Sequence, residues 1–213
     1  MCGIFIISGT KSCLSYIENE FNKSSNRGPD ASRFLEINGT YLGFHRLAIN
    51  GLEPSGMQPF LKNNRYLICN GEIYNHKDLY TMLNKTPTTK SDCEVILDLY
   101  LEFGIEYTCK ILDGVFAFII VDGDRVLFGR DPFGVRPLYY YDCGNGVFGA
   151  SSELKSLINF NSNIKQFPSG HFGYYESGSI KIHNYFNLNS TSLEYNSIYS
   201  EYDYYKTLIK IRY

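Results

Sequence analysis

The second residue is a cysteine, in Met1-Cys2-Gly3, and the apolar run Ile4-Phe5-Ile6-Ile7 follows it directly. Removal of Met1 makes Cys2 the N-terminal residue, so that one residue carries both a thiol and a free α-amine. A thiol titrates near ~8.5 and an α-amine near ~8, so the amine can take up the thiol proton at neutral pH, which an ordinary Lys cannot. This is the chemistry of an N-terminal nucleophile activated by its own amine. The plainer reading is a small buried hydrophobe at the start of a strand. Three further positions carry chemistry that would complement such a nucleophile. Arg46, in Arg46-Leu47-Ala48-Ile49-Asn50-Gly51, stands at the end of an apolar run, and its planar fork suits a carboxylate; a lone Arg is more often an exposed charge or an ion-pair partner. Asn70-Gly71 follows Tyr66-Leu67-Ile68-Cys69. A side-chain amide beside an N–H unobstructed by a Cβ can supply two donors to an oxyanion, but Asn-Gly is also the commonest hairpin turn. Asp92 falls in the first turn of a helix, where a carboxylate also complements the helix end.

Rigid elements must bring these residues together. Ile4 to Ile7 reads as a strand buried on both faces, and it would hold the N-terminus still. Leu14, Ile17 and Phe21 have helical spacing, ahead of a tight turn at Arg27-Gly28-Pro29-Asp30 in which Asp30 can bond its own loop. Arg33 to Ile37 and Tyr41 to Arg46 form a hairpin across Asn38-Gly39. Tyr66 to Cys69 is a strand, His76 to Asn84 a short helix, and Ser91 with Glu94 is a capping box for a helix that Gly104 ends. A short helical piece carries Ile111 and Leu112. Val115 to Asp122 and Arg125 to Arg130 pair around Gly123-Asp124. Asp131 to Pro137 is a constrained loop, followed by strands at Leu138 to Tyr141 and Val147 to Ala150. A short helix is expected over Glu153 to Ile158, and a last hairpin joins Phe172 to Tyr175 with Ile180 to Ile182. Antiparallel strands in this order, with few helices, argue for an α+β layered domain rather than βαβ winding.

The 213 residues suffice for one sizeable core, and the net charge of -2 gives no footprint for nucleic acid. The apolar start is too short for a membrane span and lacks a basic leader, so a cytoplasmic protein is expected. The six cysteines contain no Cys-x-x-Cys pair and the four histidines are scattered, so neither a metal site nor a disulfide framework is indicated. After about Phe186 the composition turns to Asn, Ser, Thr and Tyr. Asn187 to Ser197 reads as a linker, and Tyr205, Leu208, Ile209 and Ile211 could begin a helix.

Taken together, Met1-Cys2-Gly3-Ile4, Arg27-Gly28-Pro29-Asp30, Arg46-Leu47-Ala48-Ile49, Asn70-Gly71-Glu72-Ile73-Tyr74-Asn75, Ser91-Asp92-Cys93-Glu94, Leu112-Asp113-Gly114-Val115-Phe116-Ala117-Phe118 and Arg130-Asp131-Pro132-Phe133-Gly134 resemble the glutaminase domain of class II glutamine amidotransferases. The resemblance is strongest to the glutamine-hydrolysing asparagine synthetases, and it covers about residues 2–186. It implies an N-terminal-nucleophile hydrolase-like αββα sandwich, two stacked antiparallel sheets between helical layers. It implies roles too: Cys2 attacks the side-chain amide of L-glutamine, Asn70 and Gly71 hold the oxyanion, Arg46 takes the α-carboxylate, Asp92 and Glu72 take the α-ammonium, and backbone groups of Ile49 and Asn50 line the pocket. The glutaminase step needs no cofactor and no metal. ATP and Mg belong to the family's synthetase half, whose Ser-Gly-Gly-x-Asp-Ser loop does not occur in the sequence.

Two departures qualify the resemblance. Asn26 stands where the family often has His before Arg-Gly-Pro-Asp. Residues 187–213 read as a linker or a stub toward a missing synthetase domain, which leaves a shortened product or a free-standing glutaminase that serves a separate ammonia-acceptor subunit. Two alternatives stay open: a non-catalytic or regulatory glutamine-binding module if Met1 is retained, and a different amide hydrolase on the same fold. Homodimerisation stays open as well; no nucleic acid or membrane partner is expected.

Overall fold

The computed structural model describes residues 1–144 and 146–187. The expected helix around Tyr205, and the linker beyond Asn187, lie outside the described residues. The chain begins with β1 (Gly3–Ser8) and α1 (Leu14–Asn22), then the hairpin of β2 (Ala31–Ile37) and β3 (Thr40–Arg46). β4 (Phe60–Lys62) and β5 (Arg65–Ile73) follow, then α2 (His76–Leu83), α3 (Val95–Ile111), β6 (Gly114–Asp122) and β7 (Arg125–Arg130). β8 (Tyr139–Asp142), β9 (Phe148–Ser151), the two-residue β10 (Lys165–Gln166), β11 (His171–Glu176) and β12 (Ser179–Asn184) come last. One sheet has the order β10-β8-β9-β1-β3-β2 and the other β12-β11-β7-β6-β5-β4, with antiparallel ladders in both.

The two-residue side-chain period of the strands sorts the apolar residues into layers. Ile4 and Ile6 of β1 and Phe44 of β3 meet Ile68, Ala117 and Phe128 between the sheets. The other face of β1, Phe5 and Ile7, packs on Ile17 and Phe21 of α1. Cys69, Phe116 and Phe118 on the far side of the second sheet pack on Leu79 of α2 and on Val95, Ile96 and Leu99 of α3. All four apolar residues of β1 are fully buried, each worth about 1.5–3 kcal/mol of burial, so the strand that delivers Cys2 is central and immobile. The result is the expected αββα sandwich.

Local expectations fare unevenly. Asn38 and Gly39 adopt the two positive φ angles, 50° and 76°, of the twist-matched hairpin turn. Gly104 interrupts α3 with φ 78°, so the two helical pieces read from the sequence abut at that residue. β5 does not stop at Cys69: it stays paired with β6 in unbroken register to Ile73 opposite Gly114, so Asn70-Gly71 is strand, not turn. β4 was not expected; its turn to β5 uses Asn63 and Asn64, both at positive φ. The Ser91 capping box does not form, because Ser91 makes no capping bond and the Glu94 carboxylate instead accepts from the amides of Thr88 and Thr89 at 3.3 and 2.8 Å. Glu153 to Ile158 is not a helix beyond the single 3-10 turn Leu154–Ser156.

Candidate active site

One cleft lies where β1, the end of β3 and the edge of β5 approach each other. All eight residues singled out from the sequence line it, namely Cys2, Arg46, Ile49, Asn50, Asn70, Gly71, Glu72 and Asp92. Gln58 and Arg136, which the sequence reading did not select, line it too.

Cys2 is held from several sides. Arg27 Nε donates to its carbonyl at 2.8 Å, and the Leu47 amide donates to Sγ at 3.4 Å. The following residue, Gly3, pairs with His45 across β3. Asp30 does not bond its own loop; its Oδ2 accepts from the Ala48 amide at 2.7 Å, and its amide donates to the Arg46 carbonyl at 3.0 Å. Gly28 is required here, because a Cβ would come within 2.3 Å of the His45 backbone. The Arg27-Gly28-Pro29-Asp30 turn thus clamps the start of β1 to the end of β3.

Arg46 is buried at 8% exposure. Its Nη2 donates to the carbonyls of Gly51 and Glu53, which fixes the plane of the fork. Gly56 leaves room for it, since a Cβ there would stand 2.8 Å from Nη2. Asp92 gives Oδ2 to the Ile73 amide at 2.7 Å. Glu72 accepts from Arg136 Nη2 at 3.1 Å. Arg136 is delivered by the Asp131 to Pro137 loop, which the fully buried Asp131 carboxylate organises: it accepts from the amides of Phe133, Val135 and Arg136 at 2.9 to 3.1 Å.

Asn70 is 1% exposed, and its Nδ2 has no hydrogen-bond partner among the described residues. An orphaned buried donor costs about 1–3 kcal/mol, so it demands an explanation. Gly71 sits beside it. Phe116, opposite Gly71, exchanges its amide and carbonyl bonds with Asp131 rather than with β5. The alternation of an antiparallel ladder then turns the Gly71 N–H away from β6, toward the open edge that lines the cleft. No side chain fits at this position, since a Cβ would be 2.6 Å from the Val115 carbonyl oxygen.

Residues 1–167 match the profile of the glutamine amidotransferase domain family. The chain belongs to this family. Asparagine synthetase [glutamine-hydrolyzing] of Bos taurus is 45% identical over 175 residues, 78% of this chain and 31% of the relative. The Homo sapiens protein of the same name is 42% identical over 187 residues, 81% of this chain and 33% of the relative. The amidotransferase chain thus spans about a third of the length of these relatives. Among solved structures, the glutamine phosphoribosylpyrophosphate amidotransferase from B. subtilis, complexed with ADP and GMP, superposes with a TM-score of 0.70 at 19% identity, covering 87% of this chain and 49% of that one. At that identity the likeness shows the fold alone.

The electrostatics of the cleft act on the Cys2 thiol in opposite senses. Burial pushes the Cys2 thiol above its ordinary value, and the Leu47 amide, the terminal ammonium and Arg46 pull it partly back. Cys93, fully enclosed, is pushed well up by a hydrogen bond to the Cys69 thiol and by burial. Among the described residues no group of three or more His, Cys, Asp or Glu is placed to hold a metal ion, and no helix is long and apolar enough to cross a membrane.

Proposed function

We propose that this amidotransferase domain hydrolyses L-glutamine to glutamate and ammonia through a thioester on Cys2, after removal of Met1. The observation that carries the reading is the buried, unpartnered Asn70 Nδ2, in the cleft that holds the Cys2 thiol and beside Gly71, whose N–H the ladder turns away from β6. A buried donor without a partner is what an oxyanion site looks like before the oxyanion forms. With Met1 attached, the Cys2 nitrogen is a peptide amide with no basicity. Met1 also lines the cleft, whose free volume of about 40 Å³ holds only a few waters. Its removal supplies the base and makes room for substrate.

The α-amine takes the thiol proton and the thiolate attacks the side-chain carbonyl carbon of glutamine. The resulting oxyanion lies between Asn70 Nδ2 and the Gly71 N–H. Collapse of the tetrahedral adduct expels ammonia, protonated by the α-ammonium, and leaves a γ-glutamyl thioester. Water then attacks with the amine again as base, glutamate leaves, and the thiol is restored. At the far end of the substrate, the guanidinium N–H groups of Arg46 that the Gly51 and Glu53 carbonyls leave free take the α-carboxylate in a charge-assisted hydrogen bond. The free oxygen of Asp92 and the Glu72 carboxylate face the α-ammonium, and backbone groups of Ile49 and Asn50 close the wall. These residues need no metal or cofactor for the step. The ammonia is destined for asparagine formation from aspartate on an ATP- and Mg-dependent synthetase module, separate or attached.

The deciding experiment pairs intact-mass measurement with an assay of glutamate release from glutamine. Loss of the mass of one Met together with steady glutamate production is expected. A chain that keeps Met1 and binds glutamine without releasing glutamate would establish the non-catalytic reading in its place.

A further inference from the structure

β4 covers the edge of β5 only from Arg65 to Leu67, where Lys62, Leu61 and Phe60 pair with it. Beyond Phe60 the chain turns away, and the next outward-facing residue of β5, Cys69, is left without a strand partner. The side chain of Gln58 fills that place. Its Oε1 accepts from the Cys69 amide at 2.6 Å and its Nε2 donates to the Cys69 carbonyl at 3.2 Å, so one side-chain amide makes both bonds that a neighbouring strand would make. Gln58 is 4% exposed. Two residues further out along the same edge is Gly71, and two beyond it Ile73, whose amide is held by Asp92 Oδ2. The Gly71 N–H therefore sits between two side-chain clamps, and Asn70, next to Cys69 in the chain, carries its unpartnered Nδ2 from the same stretch.

We propose that Gln58 is a positioning residue for the oxyanion donors: it stands in for the missing edge strand, and so aims the Asn70 amide and the Gly71 N–H without touching substrate. This rests on the reading of Asn70 and Gly71 as oxyanion donors. Only Gln or Asn among the side chains offers a donor and an acceptor on one planar amide, and only Gln has the longer reach. A displaced donor harms a transition-state interaction more than ground-state binding, so the loss belongs in kcat.

The test uses the full chain with Gln58→Met, which keeps the volume and removes both bonds, and Gln58→Glu, which keeps the acceptor and loses the donor. Glutamine turnover is measured beside the rate of Cys2 alkylation by iodoacetamide, mapped by peptide mass; this displacement forms no oxyanion. Gln58→Met should lower kcat by about 10- to 100-fold, with KM for glutamine and the Cys2 alkylation rate both within about threefold, and Gln58→Glu should do the same. In an Asn70→Ala background the Gln58→Met penalty should shrink to a few-fold, because its main target is gone. Unchanged kcat in Gln58→Met, a parallel loss of alkylation, or a full penalty in the Asn70→Ala background would each overturn the proposal. If Asn70→Ala alone leaves kcat intact, the oxyanion reading itself fails. If Asn70→Ala is slow and Gln58→Met is not, only the role of Gln58 fails.

Discussion

Asn70 and Arg46 are both buried polar side chains facing one cleft, yet their environments prescribe opposite kinetic signatures. The Arg46 fork is already oriented by the Gly51 and Glu53 carbonyls, and on the proposed reading it meets a charge present equally in substrate and transition state. Lys would keep the charge and lose the fork, so Arg46→Lys should raise KM for glutamine by roughly 10- to 100-fold, with a much smaller change in kcat. Asn70 Nδ2 has no partner among the described residues, and on the proposed reading it gains one only as charge develops on the carbonyl oxygen. Asn70→Ala should lower kcat by about 10²- to 10³-fold with KM nearly unchanged, and steady-state kinetics on the two variants separates the roles. Cys2 makes a third case. Burial raises its thiol, so in chain that retains Met1 its alkylation should titrate with a midpoint above the ordinary ~8.5. Loss of Met1 places an ammonium on Cys2 itself and should bring that midpoint down. A midpoint below ~8.5 with Met1 present would contradict the burial argument.

β3 supports the start of β1 through His45, which pairs with Gly3 and stacks on Phe21 of α1 at 3.8 Å. The Phe21 carbonyl can only accept, so Nε2 carries the proton and donates to it at 3.1 Å, and Nδ1 accepts from the Ser32 hydroxyl at 2.6 Å. Burial holds the His45 pKa below its ordinary 6.5. The unfolded chain therefore binds the proton more readily than the folded one, and the stabilisation is complete above about pH 6.5 and lost as pH falls toward the folded value. The His45 contribution to thermal stability should be level above about pH 7 and decline as pH falls below about 6.5, and His45→Gln should remove that slope from a lower starting stability. A slope that survives in His45→Gln would assign it to other groups. At this scale, signals that fold locally were legible in the sequence: the Asn38-Gly39 and Gly123-Asp124 turns, the break at Gly104, the both-faces-buried β1. Signals overruled by partners distant in sequence were not. Asn70-Gly71 has turn chemistry but lies in strand because β6 pairs with it throughout. Gln58 and Arg136 reach the cleft through a departing edge strand and a carboxylate-organised loop, and nothing in their own neighbourhoods marks them.

Over the whole molecule, two sheets locked face to face leave the cleft at one end, bounded by the loops after β3, before α3 and after β7. That geometry suits a module that performs one hydrolysis and hands on a small neutral product. On the proposed reading ATP has no part in the hydrolysis step itself. Incubated with glutamine, aspartate and ATP, the purified chain should release glutamate and free ammonia in equal amounts and form no asparagine. Its glutamate rate should be the same when ATP and aspartate are left out. Asparagine in the product mixture, or a glutamate rate that responds to ATP, would show an acceptor site within this chain and would replace the single-hydrolysis reading with a bifunctional one.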